Sequence, residues 1–205
     1  MSEKLGLTHK YIPSSNTSNH NTLLLLHGTG GNEDSLIPIS EIILPGAVVL
    51  SPRGNILENG MPRFFRRIAE GVFDMQDLKE ITNELARFIE RSAKIYDFET
   101  DNLIAVGYSN GANIALSVIL TFPGLFSKAV LFHPMIPFVP TTTPHLSNTS
   151  ILITAGTNDP IVDSDETNDL YTLLQSYGAN LEIYWHEMGH NLTRDELSRT
   201  VEFLK

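Results

Sequence analysis

Residues 103–114 read LIAVGYSNGANI, and the fold class can be inferred from this segment and its surroundings. The apolar residues 103–106 are typical of a buried strand, residues 107–111 match the pattern G-x-S-x-G, and a helical periodicity follows. In a sharp turn from strand to helix, glycines leave room for the backbone and the serine hydroxyl is exposed. A glycine-rich turn with an incidental serine is the alternative, but the flanking strand and helix favour Ser109 as a nucleophile.

Outward from this turn, short apolar runs alternate with helical patterns. The runs lack polar–apolar alternation, which is typical of strands buried on both faces of a parallel sheet. Strands that alternate with helices indicate right-handed βαβ units. No repeat or domain boundary interrupts the chain, so we expect one α/β domain over 1–205, of which 1–21 hold a strand near 8–12 and a polar loop over 13–21. The other predicted strands are 22–26, 47–50, 103–106, 129–132, 151–155 and 181–185, and the predicted helices are 76–95, 110–121, 166–177 and 194–204.

A serine nucleophile needs a base and an acid, which follow it in the order acid and then histidine in folds with this motif. Asp159 and His190 each follow a predicted strand, and ligands bind at the carboxyl ends of strands in open parallel sheets. Asp163 is the competing acid, but it lies further from the strand. Position therefore favours Asp159, although a surface carboxylate is the ordinary interpretation of either residue.

The segment 186–190, HEMGH, matches the zinc-protease pattern H-E-x-x-H. A zinc site of that type needs both histidines on one face of a helix. Here the pattern follows a predicted strand directly and contains a glycine, which would cost a helix about 1 kcal/mol. Thr193 and Glu196 form a T-x-x-E capping box, so the next helix begins after the pattern. The sequence therefore predicts a loop without a metal, with His190 as the base and His186 without a chemical role.

An oxyanion hole requires backbone N–H groups that point at the substrate carbonyl oxygen. In proteins with this motif, one N–H belongs to the residue after the serine, here Asn110. The other belongs to the first glycine-rich loop, here Thr29 in HGTGGN (27–32). That loop does not complete a dinucleotide-binding G-x-G-x-x-G pattern because residue 33 is Glu. The loop therefore favours oxyanion stabilisation over phosphate binding.

Composition disfavours several other classes of protein. The formal net charge of −10 disfavours binding to nucleic acids and to anionic membranes. The chain contains no cysteine, so disulfides, thiol nucleophiles and cysteine-based metal sites are excluded. No apolar segment has the length of a signal peptide or a membrane span. We therefore expect a cytoplasmic protein with a small-molecule substrate and no stable membrane association.

These motifs together resemble the α/β-hydrolases, and more narrowly the carboxylesterase/phospholipase family that includes acyl-protein thioesterases. The resemblance implies a single-domain α/β-hydrolase fold with a mostly parallel central sheet flanked by helices and no separate lid domain. The central segment is most similar to bacterial members linked to hydroquinone and quinone stress. The segments that carry the likeness are LLLLHGTGGNE (23–33), SPRGNILENGMPRFFRR (51–67), GYSNGANIALS (107–117), GTNDPIV (156–162) and GHNLTRDEL (189–197).

The resemblance also implies roles for the site residues. Ser109, Asp159 and His190 would form a catalytic triad, and Thr29 and Asn110 would supply the oxyanion N–H groups. The family needs no metal or organic cofactor, and its members are often homodimers. Acyl-protein thioesterases usually carry a Trp-Phe/Tyr-type stretch where this chain has RFFRR, which disfavours a lipidated-protein substrate.

The long connection between the strand at 47–50 and the first predicted helix is expected to line the site. Phe64 and Phe65, with Met61 beside them, are predicted to form an apolar substrate pocket, and a core position is the alternative for both phenylalanines. Met135 is predicted at the rim of an open site, because the proline-rich segment that contains it is too short for a lid domain.

Charged residues in the same connection have two interpretations. Arg63, Arg66 and Arg67 could bind an anionic group of a substrate, but a solvated or salt-bridged face is favoured. His133 and His145 are expected to be structural.

The sequence thus predicts a carboxylesterase-type serine hydrolase that cleaves esters with short-chain or aromatic acyl or alcohol groups through an acyl-enzyme. Thioester hydrolysis, or amide, C–C or quinone-adduct cleavage at the same residues, is the alternative within enzymes, because this fold hosts many reactions. A non-enzymatic binding module is the alternative of a different class, and the complete set of triad residues argues against it.

Overall fold

The structure, a computed structural model, describes residues 5–16 and 21–205, and residues 17–20 of the predicted polar loop lie outside it. Its strands are β1 (His9–Ile12), β2 (Thr22–Leu26), β3 (Val48–Pro52), β4 (Ile56–Glu58), β5 (Met61–Arg63), β6 (Arg67–Ala69), β7 (Val72–Phe73), β8 (Leu103–Tyr108), β9 (Lys128–Phe132), β10 (Ser150–Gly156) and β11 (Asn180–His186). Its helices are α1 (Ile37–Ile43), α2 (Met75–Tyr96), α3 (Asn110–Thr121), α4 (Ser164–Ser176) and α5 (Arg194–Leu204).

A seven-stranded sheet in the order β1-β3-β2-β8-β9-β10-β11 forms the centre of the fold. Strand β1 pairs antiparallel with β3, and the other neighbours run parallel. Gly156 lies opposite His186 at the ends of β10 and β11, and Tyr108 lies opposite Phe132 at the ends of β8 and β9. The loops that follow these strands therefore meet at one edge of the sheet, where the predicted site residues lie.

Burial explains why the apolar runs become central strands. All five residues of β2 are buried, and successive side chains enter the cores on opposite faces of the sheet: Leu24 and Leu26 on one, Leu23 and Leu25 on the other. Helix α3 lies inside the first core, and nearly all of its residues are buried. A parallel sheet covered on both faces has this pattern.

The predicted strands and helices are present, with ends that differ by no more than two residues. Helix α5 begins where expected because Thr193 and Glu196 form both hydrogen bonds of the capping box. Helix α2 begins at an N-cap, Asp74, whose side chain accepts from Asp77 N–H. These hydrogen bonds join residues close together in the sequence, which is why the helix starts could be predicted from it.

Five elements have no counterpart in the prediction. Helix α1 has only seven residues and no side-chain cap, and Pro38 in its first turn is the signal that could have identified its start. The two small hairpins β4–β5 and β6–β7 have strands of two or three residues, too short to show a period. The first hairpin turns at Asn59-Gly60, both with positive φ, and this Asn-Gly signal is the one that could have identified it.

Within residues 5–16 and 21–205, no helix combines the length and apolarity needed to cross a bilayer.

The contact between α3 and β2 predicts a strict requirement for glycine at residue 111. A Cβ there would lie 1.9 Å from the carbonyl oxygen of Leu26, so G111A should lower the free energy of unfolding by about 3 kcal/mol or more. The matched control is G124A, which has open space and pays only for its left-handed backbone, about 1–2 kcal/mol. Urea denaturation followed by circular dichroism measures both. Equal stability of the two variants would contradict the predicted clash.

Candidate active site

Ser109 lies at a strained turn between β8 and α3. Its φ of 52° and ψ of −114° are unusual for a residue with a side chain. The turn is held by a hydrogen bond from Ser109 N–H to Phe132 O at 2.9 Å. A Cβ on Gly107 would lie 2.5 Å from Gly111 O, so the G-x-S-x-G glycines are required by close backbone contacts. The serine side chain therefore projects at the carboxyl end of β8, as the motif predicts.

The structure brings together the three residues predicted as nucleophile, base and acid. His190 Nε2 lies 2.9 Å from Ser109 Oγ. His190 Nδ1 lies 2.6 Å from Asp159 Oδ2. The base is therefore within hydrogen-bond reach of the nucleophile and is itself oriented by a carboxylate, which is the geometry that activates a serine.

Asp159 is held as an anion by its hydrogen bonds. Burial alone would raise its pKa, but the N–H groups of Ile161 and Val162 and the ring of His190 outweigh burial and lower the pKa of Asp159 below its ordinary value. The competing acid, Asp163, has another role, since it is the N-cap of α4 and accepts from Asp165 N–H at 2.9 Å. Geometry thus agrees with the choice of Asp159.

His190 is poised as a neutral base. Burial lowers its pKa below the ordinary value, and the hydrogen bond and charge of Asp159 oppose that shift without cancelling it. Tyr108 fixes the residue from the other side, because its hydroxyl donates to His190 O at 2.6 Å. Tyr108 was not predicted as a site residue, and its position between Gly107 and Ser109 in the motif is the signal that could have identified it.

The HEMGH segment is not helical. His186 ends β11, Gly189 has a φ of 61°, and α5 begins only at Arg194. The loop is fastened to the Asp159 loop by Asn158, whose side chain accepts from Gly189 N–H at 2.8 Å and donates to Glu187 O at 3.0 Å. The segment therefore presents one histidine, His190, to the serine, and does not form the two-histidine helix face of a zinc protease.

The predicted oxyanion residues border the same cavity as Ser109. Asn110 is the first residue of α3, so its N–H has no carbonyl partner within the helix. Thr29 lies in the loop after β2, and its hydroxyl accepts from Arg63 Nη1 at 2.9 Å. His27 supports this loop, since its Nε2 accepts from Gly54 N–H at 3.0 Å. The arrangement can place two N–H groups near a carbonyl oxygen bound at Ser109.

The cavity at Ser109 has a volume of about 270 Å³. Met135 borders it, as predicted, and its N–H donates to Asn113 Oδ1 at 2.7 Å. Arg63 and Arg67, for which binding of an anionic substrate group was the less favoured interpretation, also line the cavity. The remaining walls were not predicted: Glu70, Gly71, Phe73, Tyr108, Asn113 and Ile161.

Phe64 and Phe65 do not border this cavity. Their side chains are 2% and 0% exposed in the core, which was the alternative interpretation of both. Phe64 N–H donates to the Asn110 side chain at 2.8 Å, so this segment anchors the start of α3. Met61 is half exposed on β5 beside Gly30 and also lies outside the cavity wall. Phe64 and Phe65 lie in the connection between the two short hairpins, and this connection directs both side chains into the core and away from the cavity.

Arg63, Arg66 and Arg67 are all paired with carboxylates. Glu58 contacts Arg67 at 2.9 Å and Arg63 at 3.3 Å, and Asp77 contacts Arg66 at 3.2 Å. These pairs agree with the salt-bridged interpretation. Arg63 differs from the others because its side chain is only 4% exposed.

Among the residues that the structure describes, two groups of side chains have metal-ligand chemistry and share His133: one adds Asp159 and His190, and the other adds His186 and Glu196, with candidate ligand atoms within 4.8 Å of one another. In the first group, His190 Nδ1 and His133 Nδ1 both contact the same oxygen of Asp159. Both nitrogens are therefore occupied by hydrogen bonds.

Comparison with known proteins identifies the class. Residues 7–205 match the phospholipase/carboxylesterase family. The chain is 44% identical to the hydrolase MhqD of Bacillus subtilis over 96% of this chain and 98% of the relative. It is 46% identical to the carboxylesterase of Bacillus cereus, with a TM-score of 0.96 over 99% of this chain and 95% of that structure. It is 30% identical to the carboxylesterase of Mesorhizobium loti, with a TM-score of 0.86 over 91% of this chain and 88% of that structure.

The fold and these similarities define a serine hydrolase of the carboxylesterase type with the α/β-hydrolase fold that the sequence predicted. The chain belongs to the phospholipase/carboxylesterase family.

The lowered pKa of His190 predicts the pH dependence of ester hydrolysis. The base must be neutral to accept a proton, and burial holds its pKa below the ordinary value of about 6.5. Activity at pH 6.5 should therefore still exceed half of its plateau value, and the midpoint of the acid limb should lie below about 6.5. A profile of kcat/KM between about pH 4 and pH 9 measures this. An acid limb with its midpoint above about 6.5 would contradict the prediction.

Removal of the Tyr108 hydroxyl should impair orientation of the base. The variant Y108F loses the bond to His190 O, worth about 1 kcal/mol, so kcat should fall by about fivefold to tenfold with little change in KM. The control is Y11F, in which Tyr11 on the edge strand β1 loses a hydrogen bond from its hydroxyl to Tyr96 O. Steady-state kinetics compares the two. Equal effects of both substitutions would show that Tyr108 has no special role.

Proposed function

We propose that this protein hydrolyses carboxylic esters with Ser109 as nucleophile, His190 as general base and acid, and Asp159 as the acid of the triad. The observation that carries the proposal is the continuous contact from Ser109 Oγ through His190 to Asp159, at 2.9 Å and 2.6 Å. The lowered pKa values of both titratable members support it, because the base is then neutral and the acid ionised near neutral pH.

In the proposed reaction, Ser109 Oγ attacks the acyl carbon as His190 Nε2 takes its proton. The carbonyl oxygen becomes an oxyanion, which the N–H groups of Thr29 and Asn110 stabilise. His190 returns the proton to the leaving alcohol, and an acyl-enzyme remains on Ser109. Water that gives its proton to His190 then attacks the acyl carbon and releases the acid and the free serine. Throughout the reaction, Asp159 accepts a hydrogen bond from His190 Nδ1–H, so that this proton stays on the imidazole and Nε2 exchanges protons with the reactants.

The cavity supports small substrates. Its volume of about 270 Å³ is near the lower end of ligand pockets, and Met135, Phe73 and Ile161 supply apolar walls for a short-chain or aromatic group. Thioester hydrolysis, and other reactions on the same triad, require no different residues and are separated from ester hydrolysis by assay. A homodimer, a cytoplasmic location and the absence of a nucleic-acid partner stay predictions of the sequence.

Hydrolysis of p-nitrophenyl esters, from acetate to octanoate, tests the proposal. We expect S109A and H190A to lose activity by about 10⁴-fold or more, and D159N by a similar factor. A chelator should have no effect. The matched control is D163N, which changes a neighbouring carboxylate to an amide that can still cap α4, so activity and stability should both change little.

Retention of activity by S109A, or its loss on chelation, would refute the serine mechanism. Failure of folded protein to react with a fluorophosphonate probe would favour the binding-module alternative. A steady fall in kcat/KM from acetate to octanoate would support the small pocket, and a rise would argue that the substrate chain extends beyond it.

A further inference from the structure

His133 is a second imidazole at the carboxylate of Asp159. Its Nδ1 lies 3.1 Å from Asp159 Oδ2, the same oxygen that His190 contacts at 2.6 Å. The side chain of His133 is fully buried directly after β9. Its φ of 54° is a left-handed conformation, which in a residue with a side chain usually accompanies a structural or functional constraint. The proposed mechanism assigns no role to this ring.

Glu196 occupies the other side of the His133 ring. Its Oε1 lies 3.1 Å from His133 Nε2, and its side chain is fully buried. Three further contacts hold the carboxylate: the Thr154 hydroxyl and Thr193 N–H donate at 2.6 Å each, and His186 Nε2 lies at 3.3 Å. Burial alone would raise the pKa of Glu196, but its contacts with His133, Thr154 and Thr193 outweigh burial and lower the pKa to about 2.

The protons of His133 follow from these neighbours. Asp159 and Glu196 are both anions, and each meets a different nitrogen of the ring at 3.1 Å. A neutral imidazole would present a lone pair to one of these carboxylates. Only the imidazolium presents an N–H to both. The contact with Glu196 lacks the alignment of a hydrogen bond, so its attraction is that of an ion pair.

His186 completes the surroundings of Glu196 and argues against a metal ion there. Met188 N–H donates to His186 Nδ1 at 3.0 Å, so in the neutral ring the proton is on Nε2, which faces Glu196. A metal bound between His133, His186 and Glu196 would need that nitrogen without its proton. The ring would then carry no proton at all, so the cluster is better described as a charged group without a metal, in which Glu196 accepts hydrogen bonds from Thr154 and Thr193.

We propose that His133 and Glu196 are positioning residues for the triad: a buried His133 imidazolium fixes Asp159, and Glu196 neutralises that cation so that the charge of Asp159 remains available to His190. This inference rests on the proposed function. The charges are −1 on Asp159, +1 on His133 and −1 on Glu196, so His190 faces a net charge of −1. The other titratable groups at the cluster are His186 and Tyr108, and burial raises the pKa of Tyr108.

The charges predict opposite effects of two isosteric variants on the pH profile. E196Q removes a negative charge and leaves His133 uncompensated, so the acid limb of kcat/KM should move to lower pH by about one unit. H133N removes the positive charge and keeps a donor toward Asp159, so the acid limb should move to higher pH by a similar amount. In both variants kcat should fall about tenfold, since Asp159 is less well fixed, with KM little changed. A structural role alone would not move the two limbs in opposite directions.

The matched control is T193A, which removes the acceptor for Glu196 N–H at the start of α5 and changes no charge. It should lower the melting temperature without moving the acid limb. A shift in T193A as large as that in E196Q would mean that helix packing causes the effect, and would overturn the inference. Shifts of E196Q and H133N in the same direction, or in neither, would overturn it as well.

A direct measurement on the wild type keeps the inference testable if a variant does not fold. Nuclear magnetic resonance of ¹⁵N-histidine-labelled protein near neutral pH should find protons on both ring nitrogens of His133 and on Nε2 alone of His186. A bare nitrogen on His133 would overturn the inference, as would stoichiometric zinc bound to the cluster. Because this readout needs no turnover, it is independent of the S109A experiment. An active S109A would defeat the proposed function, whereas a neutral His133 beside an inactive S109A would defeat only this inference.

Discussion

The approach of α3 to the end of β2 is the contact on which the active site depends. Gly111 lies so near the carbonyls of Leu26 and His27 that no side chain fits between them. Helix α3 can therefore begin directly after β8, and the one residue left to turn the chain, Ser109, takes a left-handed conformation. The burial of α3 and of the central strands holds the helix against β2 and so stabilises this unfavourable backbone.

Charge is distributed unevenly around Ser109. On the side of Thr29 lies the buried guanidinium of Arg63, and on the side of His190 lie the carboxylates of Asp159 and Glu196. In the proposed reaction, negative charge develops at the oxyanion and positive charge at the imidazole. The protein therefore has fixed charges oriented along the direction of charge separation before the substrate binds, which is the arrangement that gives electrostatic catalysis its advantage over water.

The close approach of Ser109, Asp159 and His190 could be predicted from sequence because each residue follows a separate strand of one parallel sheet. Ser109, Asp159 and His190 are far apart in the chain, but parallel pairing brings the strand ends to the same edge. Apolar runs predict the strands, capping residues predict the helix ends, and the glycine pattern predicts the turn. None of these signals requires knowledge of how side chains pack.

The walls of the cavity could not be predicted in the same way. Residues 53–74 form two short hairpins, and in a strand of two or three residues a shift of one position exchanges the buried and exposed sides. The direction of Phe64 is set by a tertiary bond from its N–H to the side chain of Asn110, which local sequence does not reveal. The same holds for the cluster around Glu196, because its members come from four separate segments. The capping box of Thr193 and Glu196 could be recognised in the sequence. The contacts of Glu196 with His133 and His186 could not, because they depend on how distant segments pack.

The bridge made by Asn158 has a mechanical consequence. Together with the bond from Thr157 N–H to His186 O and the glycine contact between Gly156 and Gly189, it fastens the loop of Asp159 to the loop of His190. The imidazole of His190 and the carboxylate of Asp159 are therefore held as a pair by several contacts between their loops. The Tyr108 hydroxyl, which donates to His190 O, ties this pair to the turn of Ser109. The distance between Ser109 Oγ and His190 Nε2 is thus set by how two fastened loops dock on one turn, and not by the conformation of any single loop.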